Sequence, residues 1–495
     1  MTLKVQVALG LKWQVISIAG RQLLSLVVFT TLARSLNPTD FGLAALVTVY
    51  LGFILMFIDQ GIGVAIIQRQ DLEPEHLDTA FWFNIGCALI LFLGTILFAG
   101  EVAALYREPR LAPLLRWSSA GLVIGASSAI HSTLFVRAMN FRQPVLRGLI
   151  ANIAGGAVGI GMALNGFGVW SLVGQQLAGE TAAAIFLWSM SPFRPSMKFS
   201  LPHLRQLFGF SSSVFLTSVI WSFAIRIDQI VIGRFAGIAS LGLYAIAAKI
   251  PNVATMAAQE PMASVSLPTL SRLQNDHARM REVICRGLEL GAVISFAVFV
   301  GLAAVSSTLV PFLFGPRWAG ASVLCALLSI YALVGTIGIF FYPAILATGG
   351  IGNAVWLNVV HIIGVAVACL VGIQFGVTSL VVGLILNGLV TSIPGLIFIR
   401  GRIGMSPLDY GKPCLAPAIA SVFMFGIVRL IPILLPQSTW LAWILALEIT
   451  AGAATYLGFL FMFRRQTLFR LIEMAGHSFG FSFKTNSGLP PLIED

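Results

Sequence analysis

The chain has 495 residues, of which 58% are hydrophobic and only 10% charged, with a formal net charge of +11. That balance excludes a soluble globular domain, where apolar residues make up about 45–50% and charged ones about 25%. The positive charge is scattered over many separate segments, which also excludes a nucleic-acid surface.

A bilayer core about 30 Å thick takes roughly 20 apolar residues per helix, so stretches of that length are the elements to read. They follow in chain order at 11–33, 41–63, 79–100, 112–134, 145–164, 167–188, 207–232, 240–263, 285–309, 321–343, 351–374, 378–399, 413–434 and 440–463. The predicted fold is therefore an all-α integral membrane protein of about 14 transmembrane helices. The connectors are turn-like, such as NPTD (37–40), NGFG (165–168), TGGIGN (348–353) and LPQST (435–439), and leave no room for a soluble domain.

The lightly charged start (Lys4, Lys12) leads into a full-length span, so a cleaved signal peptide is not expected. In the first span Gln14, Ser17, Arg21 and Ser25 recur every three or four residues and share one helical face. The second span ends near Asp59, and the sixth carries Glu180 within QQLAGE. After it comes SPFRPSMKFSLPHLRQ (191–206), rich in proline and basic residues, which reads as a linker. The seventh span repeats the polar stripe with Ser211, Ser218, Ser222, Arg226 and Gln229, and the eighth holds Lys249. A hairpin between these two spans would bring Lys249 to the depth of Arg226. Asp228 lies about 200° around the helix from Arg226 and reads as a helix-end carboxylate at the outer mouth. Pro251 and Pro261 interrupt the eighth span, Pro343 and Pro394 fall late in theirs, and such prolines mark kinks. Glu448 lies in the last span, and residues 464–481 have the pattern of a short amphipathic surface helix.

Cytoplasmic connections retain Lys and Arg. With the N-terminus inside, 20 of the 30 basic residues fall in or beside inner segments and six (Arg34, Arg107, Arg110, Arg116, Arg234, Arg317) in outer ones. Both termini are thus expected in the cytoplasm. Displacing the chain by 200 residues aligns TLARSLNPTDFGLAAL (31–46) with VIGRFAGIASLGLYAI (231–246), matching Arg34 with Arg234, Gly42 with Gly242, Leu43 with Leu243 and Ala45 with Ala245. This register predicts an N-lobe at 1–190, a cytoplasmic linker at 191–206, a C-lobe at 207–399, two further helices at 400–463 and a cytoplasmic tail at 464–495. It also pairs Arg21 with Trp221, placing Arg226 about 7.5 Å farther along its span and nearer the outer mouth.

GLKWQVISIAGRQLLSLVVFTTLARSLNPTDFGLAAL (10–46), FIDQGIGVAIIQR (57–69) and RIDQIVIGRFAGIASLGLYAIAAKIP (226–251) resemble the two signatures of the bacterial polysaccharide transporter family, the Wzx-type oligosaccharide flippases. The resemblance implies a superfamily that includes multidrug exporters and lipid II flippases, with two lobes around a central cavity. It implies an undecaprenyl-diphosphate-linked oligosaccharide as substrate, moved across the bacterial inner membrane for exopolysaccharide, capsule or O-antigen (lipopolysaccharide) assembly, beside polymerase and export machinery.

The residues suit that task. Charge at membrane depth is expensive, by about 2.5–3.5 kcal/mol on insertion scales, so each stripe should face protein or a wet cavity. Guanidinium binds diphosphate in bidentate fashion, which makes Arg21, Arg226 and Lys249 a candidate cationic path, flanked by Gln14, Ser17, Ser25, Ser218 and Ser222. The competing reading pairs those cations with Asp228, Glu180 or Glu448 merely to join helices. Glu180 and Asp59 are the candidates for coupling to protons or sodium. A multidrug or cation antiporter is the alternative, favoured by those acids and opposed by the arginines. The scattered cysteines (Cys87, Cys285, Cys325, Cys369, Cys414) and histidines suggest neither a disulfide framework nor a metal, and no cofactor is expected. No nucleotide-binding glycine loop or large outer catalytic loop is present, so an enzyme is not expected, and a monomer in contact with membrane lipids is.

Overall fold

The computed structural model describes residues 20, 22–59, 61–207, 223, 225–436 and 440–465. Among them the chain is helical, with no strand. A short apolar helix, α1, covers Gln22–Ser35. It is followed by α2 (Pro38–Asp59), α3 (Ile62–Gln68), α4 (Pro74–Tyr106), α5 (Leu111–Ser118), α6 (Ala120–Arg137), α7 (Arg142–Leu164) and α8 (Trp170–Met190). A short linker helix at 201–207 precedes α9 (225–231), which runs into a π turn at Ile232–Ala236. Then come α10 (Ile238–Ala258), α11 (Glu260–Arg272), α12 (His277–Ser295), α13 (Gly301–Phe314), α14 (Ala321–Gly338), α15 (Phe341–Ala347), α16 (Ile351–Gly372), α17 (Val377–Ile403), α18 (Pro407–Leu434) and α19 (Leu441–Phe463).

Eleven of the described helices, some counted as joined pairs, are long and apolar enough to cross a membrane, and each coincides with an expected span. Of the other three expected spans, the first and seventh lie partly outside the described residues. The sixth is α8, a 21-residue helix that carries Gln175, Gln176 and Glu180 and is not among the eleven. The surface helix expected at 464–481 also falls almost wholly outside the described residues.

Proline explains one helix break and is tolerated elsewhere. The eighth span divides at Gln259, just ahead of Pro261, while Pro251 stays inside α10 and Pro394 inside α17. A proline removes one backbone donor and disfavours helix at the preceding residue, so the break belongs immediately before it. Gln259 uses the opening: its Nε2 donates to the Ala332 carbonyl at 2.7 Å and to Thr336 Oγ1 at 2.9 Å.

The chain forms two compact units, counting only described residues in each. The first comprises Met1–Ala248, Leu313–Leu324 and Gly364–Gly383; the second comprises Lys249–Phe312, Cys325–Ile363 and Leu384–Asp495. In the second, Val293, Ala304, Ala420, Met424, Leu445 and Tyr456 are core, and the Tyr456 hydroxyl donates to the Val293 carbonyl at 2.8 Å.

In the first unit, the fully buried Trp318 packs edge-on against Phe41 and its Nε1–H donates to the Ala33 carbonyl at 2.8 Å, while Arg34 Nε donates to the Leu313 carbonyl at 2.8 Å. These bonds tie the end of α1 to the last turn of α13 and to the residues after it. Trp318→Phe keeps the ring and leaves the Ala33 carbonyl without this donor; it is expected to destabilise the protein by about 1–3 kcal/mol, read as a lower melting temperature in detergent.

The starts of α2 and α10 meet in a reciprocal contact. A Cβ added to Gly42 would lie 1.9 Å from the Ile238 carbonyl oxygen, and one added to Gly242 would lie 1.8 Å from that of Pro38. Gly42 and Gly242, like Pro38 and Ile238, are equivalent positions in the 200-residue register. One pair of positions is thus used twice in opposite senses, as a two-fold axis between related segments requires.

Candidate functional site

Arg226 is the described member of the predicted cationic path whose surroundings are best defined. It is half-buried on α9, and its guanidinium lies against Gly52 of α2, where the missing side chain leaves room for it. A methyl group added at Gly52 would sit 2.6 Å from Nη2, 2.7 Å from Cζ and 2.9 Å from Nε. One turn earlier, Phe223 meets Phe53 with ring centroids 4.2 Å apart. Gly52 and Phe53 of α2 therefore meet Arg226 of α9 and Phe223 just ahead of it.

Gly52 lies 14 residues, about 21 Å, from Pro38 at the start of α2, so the guanidinium meets that helix well inside its length. Side chains on a helix point back toward its N-terminus, so the head of Arg226 lies on the Phe223 side of its own Cα.

Asp228 is engaged elsewhere, as its position on the helix implied. Its Oδ2 accepts a short hydrogen bond from the Tyr244 hydroxyl on α10, and its Oδ1 accepts from the Gln229 N–H at 2.7 Å. The carboxylate therefore ties α9 to α10 instead of capping a helix end.

Glu180, on α8, lies over two glycines of α6. A Cβ at Gly125 would be 3.2 Å from its Oε2, and one at Gly121 would be 3.9 Å from its Cδ and 3.2 Å from Gln176 Nε2. Arg147 on α7 acts on this carboxylate electrostatically. Arg147 Nε and Gln143 Oε1 are buried with no hydrogen-bond partner among the described residues. Arg147 of α7 and Glu180 of α8 thus form a charged pair inside the first unit, and Arg147 is a member that the spacing of the sequence did not single out.

Lys249 is half-buried on α10 and belongs to the second unit, whereas Arg226 belongs to the first. Ser25 is half-buried on α1, and Asp59 closes α2, with its side chain outside the described residues. Gln14, Ser17, Arg21, Ser218 and Ser222 also lie outside them.

In the second unit the fully buried Glu448 of α19 accepts from Thr308 Oγ1 of α13 at 3.0 Å, and its Oε2 is buried without a partner among the described residues. Arg429 of α18 acts on it electrostatically while donating to Ser307 Oγ at 2.9 Å. Thr308 lies 140 residues from Glu448, a pairing that no local spacing announces.

Residues 31–323, more than half the chain, match the model of the family described as polysaccharide biosynthesis protein. The succinoglycan biosynthesis transport protein ExoT of Rhizobium meliloti is 27% identical over 470 residues, covering 94% of either chain. The lipopolysaccharide biosynthesis protein WzxC of Escherichia coli is 24% identical over 68% of this chain and 69% of its own. Among solved structures, the lipid II flippase MurJ in an inward closed conformation superposes with a TM-score of 0.74 at 15% identity, over 92% of this chain and 99% of that one. An inward-facing multidrug resistance transporter of the MATE family gives 0.59 at 16% identity, over 77% and 94%. These likenesses establish a fold of the MurJ and MATE kind, in agreement with the all-α reading.

Proposed function

The chain belongs to the polysaccharide biosynthesis protein family, and from that premise we propose that it flips undecaprenyl-diphosphate-linked oligosaccharide repeat units from the inner to the outer leaflet of the bacterial inner membrane. The observation that carries this reading is Arg226, whose guanidinium is seated against Gly52 of α2, a helix long and apolar enough to span a membrane. A diphosphate must shed water to cross, and guanidinium is the side chain best suited to replace those hydrogen bonds. With Arg21 and Lys249 it forms the proposed path, lined by Gln14, Ser17, Ser25, Ser218 and Ser222. Both termini lie in the cytoplasm in this proposal, with an N-lobe at 1–190, a C-lobe at 207–399 and alternating access between them. Glu180 and Asp59 are the proposed coupling acids, for protons or sodium, and Glu448 joins them because one of its oxygens is buried without a partner among the described residues.

A deletion strain tests the reading. We expect loss of surface polysaccharide with accumulation of lipid-linked repeat units on the inner leaflet, both reversed by the wild-type gene. Normal polymer in a strain without a redundant transporter would overturn it. A strain that makes normal polymer but becomes sensitive to cationic drugs would instead point to an antiporter, for which the acids rather than Arg226 would matter.

A further inference from the structure

The linker after α8 is docked along the start of α4. Asp78 accepts from the Ser196 N–H at 2.9 Å and from the Ser196 hydroxyl, Ser200 N–H donates to Thr79 Oγ1 at 3.1 Å, and Trp82 Nε1–H donates to the Ser196 carbonyl at 2.7 Å. None of these bonds uses a histidine. Beside them, Glu73, His76 and His203 each present one ligand atom, all within 4.8 Å of one another. His76 is 1% exposed, and its ring meets that of His203 edge-on with centroids 4.4 Å apart.

The hydrogen bonds around the two rings set their tautomers. Arg69 can only donate, and its Nη2 lies 2.5 Å from Gln206, which fixes the amide oxygen of Gln206 at that point. The same oxygen is 3.0 Å from His76 Nε2, so that nitrogen carries the proton. Nδ1 of His76 keeps its lone pair, now loosely held by the Glu73 N–H at 3.2 Å. In His203, Nδ1 is 2.5 Å from Ser200 Oγ while Nε2 faces Glu73 Oε2 at 3.1 Å. Each ring thus has one nitrogen anchored to an oxygen and the other directed to the Glu73 side, as metal-bound imidazoles are arranged by their outer partners. The 3.1 Å separation is also close to the ~3.4 Å between neighbouring ligands of a tetrahedral zinc ion with bonds of about 2.0–2.1 Å.

We propose that Glu73, His76 through Nδ1 and His203 through Nε2 bind a divalent transition cation of the zinc class, stapling the linker helix at 201–207 to the start of α4. Two imidazoles and one carboxylate suit zinc, nickel or copper rather than magnesium or calcium, and leave the fourth position to water. Binding takes the place of the Nε2–H of His203: in the neutral ring that proton passes to Nδ1, which then donates to Ser200 Oγ, and in the protonated ring it leaves to solvent, while the Glu73 N–H moves off His76 Nδ1. Metal affinity should therefore fall as pH drops and the imidazoles protonate.

The test uses the full chain in lipid nanodiscs, freed of any histidine tag and treated with chelator, then titrated with Zn²⁺ by calorimetry and with Co²⁺ by visible absorption. The expected result is one equivalent bound, with the intense visible bands of low-coordinate Co²⁺. Glu73→Gln, which keeps an oxygen for the helix cap and for His203, and His203→Ala should each weaken binding by at least ~10-fold. Gln206→Ala, which touches no metal, should weaken it by about 10–100-fold. If His203→Ala does not elute as a monodisperse species, Glu73→Gln carries the test alone. Failure of the wild type to bind a saturable equivalent, or binding that Glu73→Gln leaves unchanged, would overturn the proposal.

Discussion

Gly42→Ala and Gly242→Ala are each expected to destabilise the protein by about 1–3 kcal/mol or more, read as a lower melting temperature and lower yield of monodisperse protein. The reason is the identity of the obstructing atoms. The added methyl of one would fall 1.9 Å from the Ile238 carbonyl oxygen, and that of the other 1.8 Å from the Pro38 carbonyl oxygen. Backbone cannot swing aside as a side-chain tip can, so the starts of α2 and α10 must separate. Because both glycines serve one seam, the first substitution already opens it. The double variant should cost less than the two single effects added together. Gly86→Ala and Gly94→Ala on α4 are the controls: nothing lies within 4 Å of the added carbon, and alanine favours helix by roughly 0.8–1.0 kcal/mol. Equal behaviour of all four variants would sink the idea of a close-packed seam.

The glycine seam also shows how far the sequence could be read. A 200-residue displacement pairs Gly42 with Gly242, and the structure gives those two glycines one shared geometric task. The same displacement pairs Arg34 with Arg234, yet their contacts differ: Arg34 donates to the Leu313 carbonyl, whereas Arg234 lies over the Phe235 ring at 5.5 Å. A residue shared by the repeat keeps a shared task where backbone approach demands it, and takes a different one where a long side chain has several possible partners. Span positions were legible because apolar length is a local property. The partners of Asp228, Glu180 and Glu448 were illegible for the opposite reason. Tyr244, the α6 glycines and Thr308 sit on other helices, and which helix faces which is decided by packing spread over the whole bundle. His76 and His203 illustrate the same limit, because a cluster assembled from residues so far apart leaves no spacing motif to find.

The second large effect concerns Arg226 and its seat. Arg226→Ala is expected to reduce complementation of the deletion strain by about 10- to 100-fold, the equivalent of roughly 1.5–3 kcal/mol for hydrogen bonds to a charged group. Arg226→Lys should recover only part of that, because an ammonium lacks the planar fork that engages diphosphate through two parallel bonds. Gly52→Ala separates position from stability. Its methyl would meet the guanidinium at 2.6 Å, but the obstructing group is the end of a flexible side chain, so the helix can gain from alanine while the arginine head is pushed away. The expected signature is a melting temperature equal to or above wild type together with a transport defect approaching that of Arg226→Ala. If Arg226 merely joined α9 to α2, the order would reverse: Arg226→Ala would lower stability and leave transport per folded molecule unchanged, and Gly52→Ala would be silent. Accumulated lipid-linked repeat units, normalised to the amount of folded protein in the membrane, distinguish the two cases.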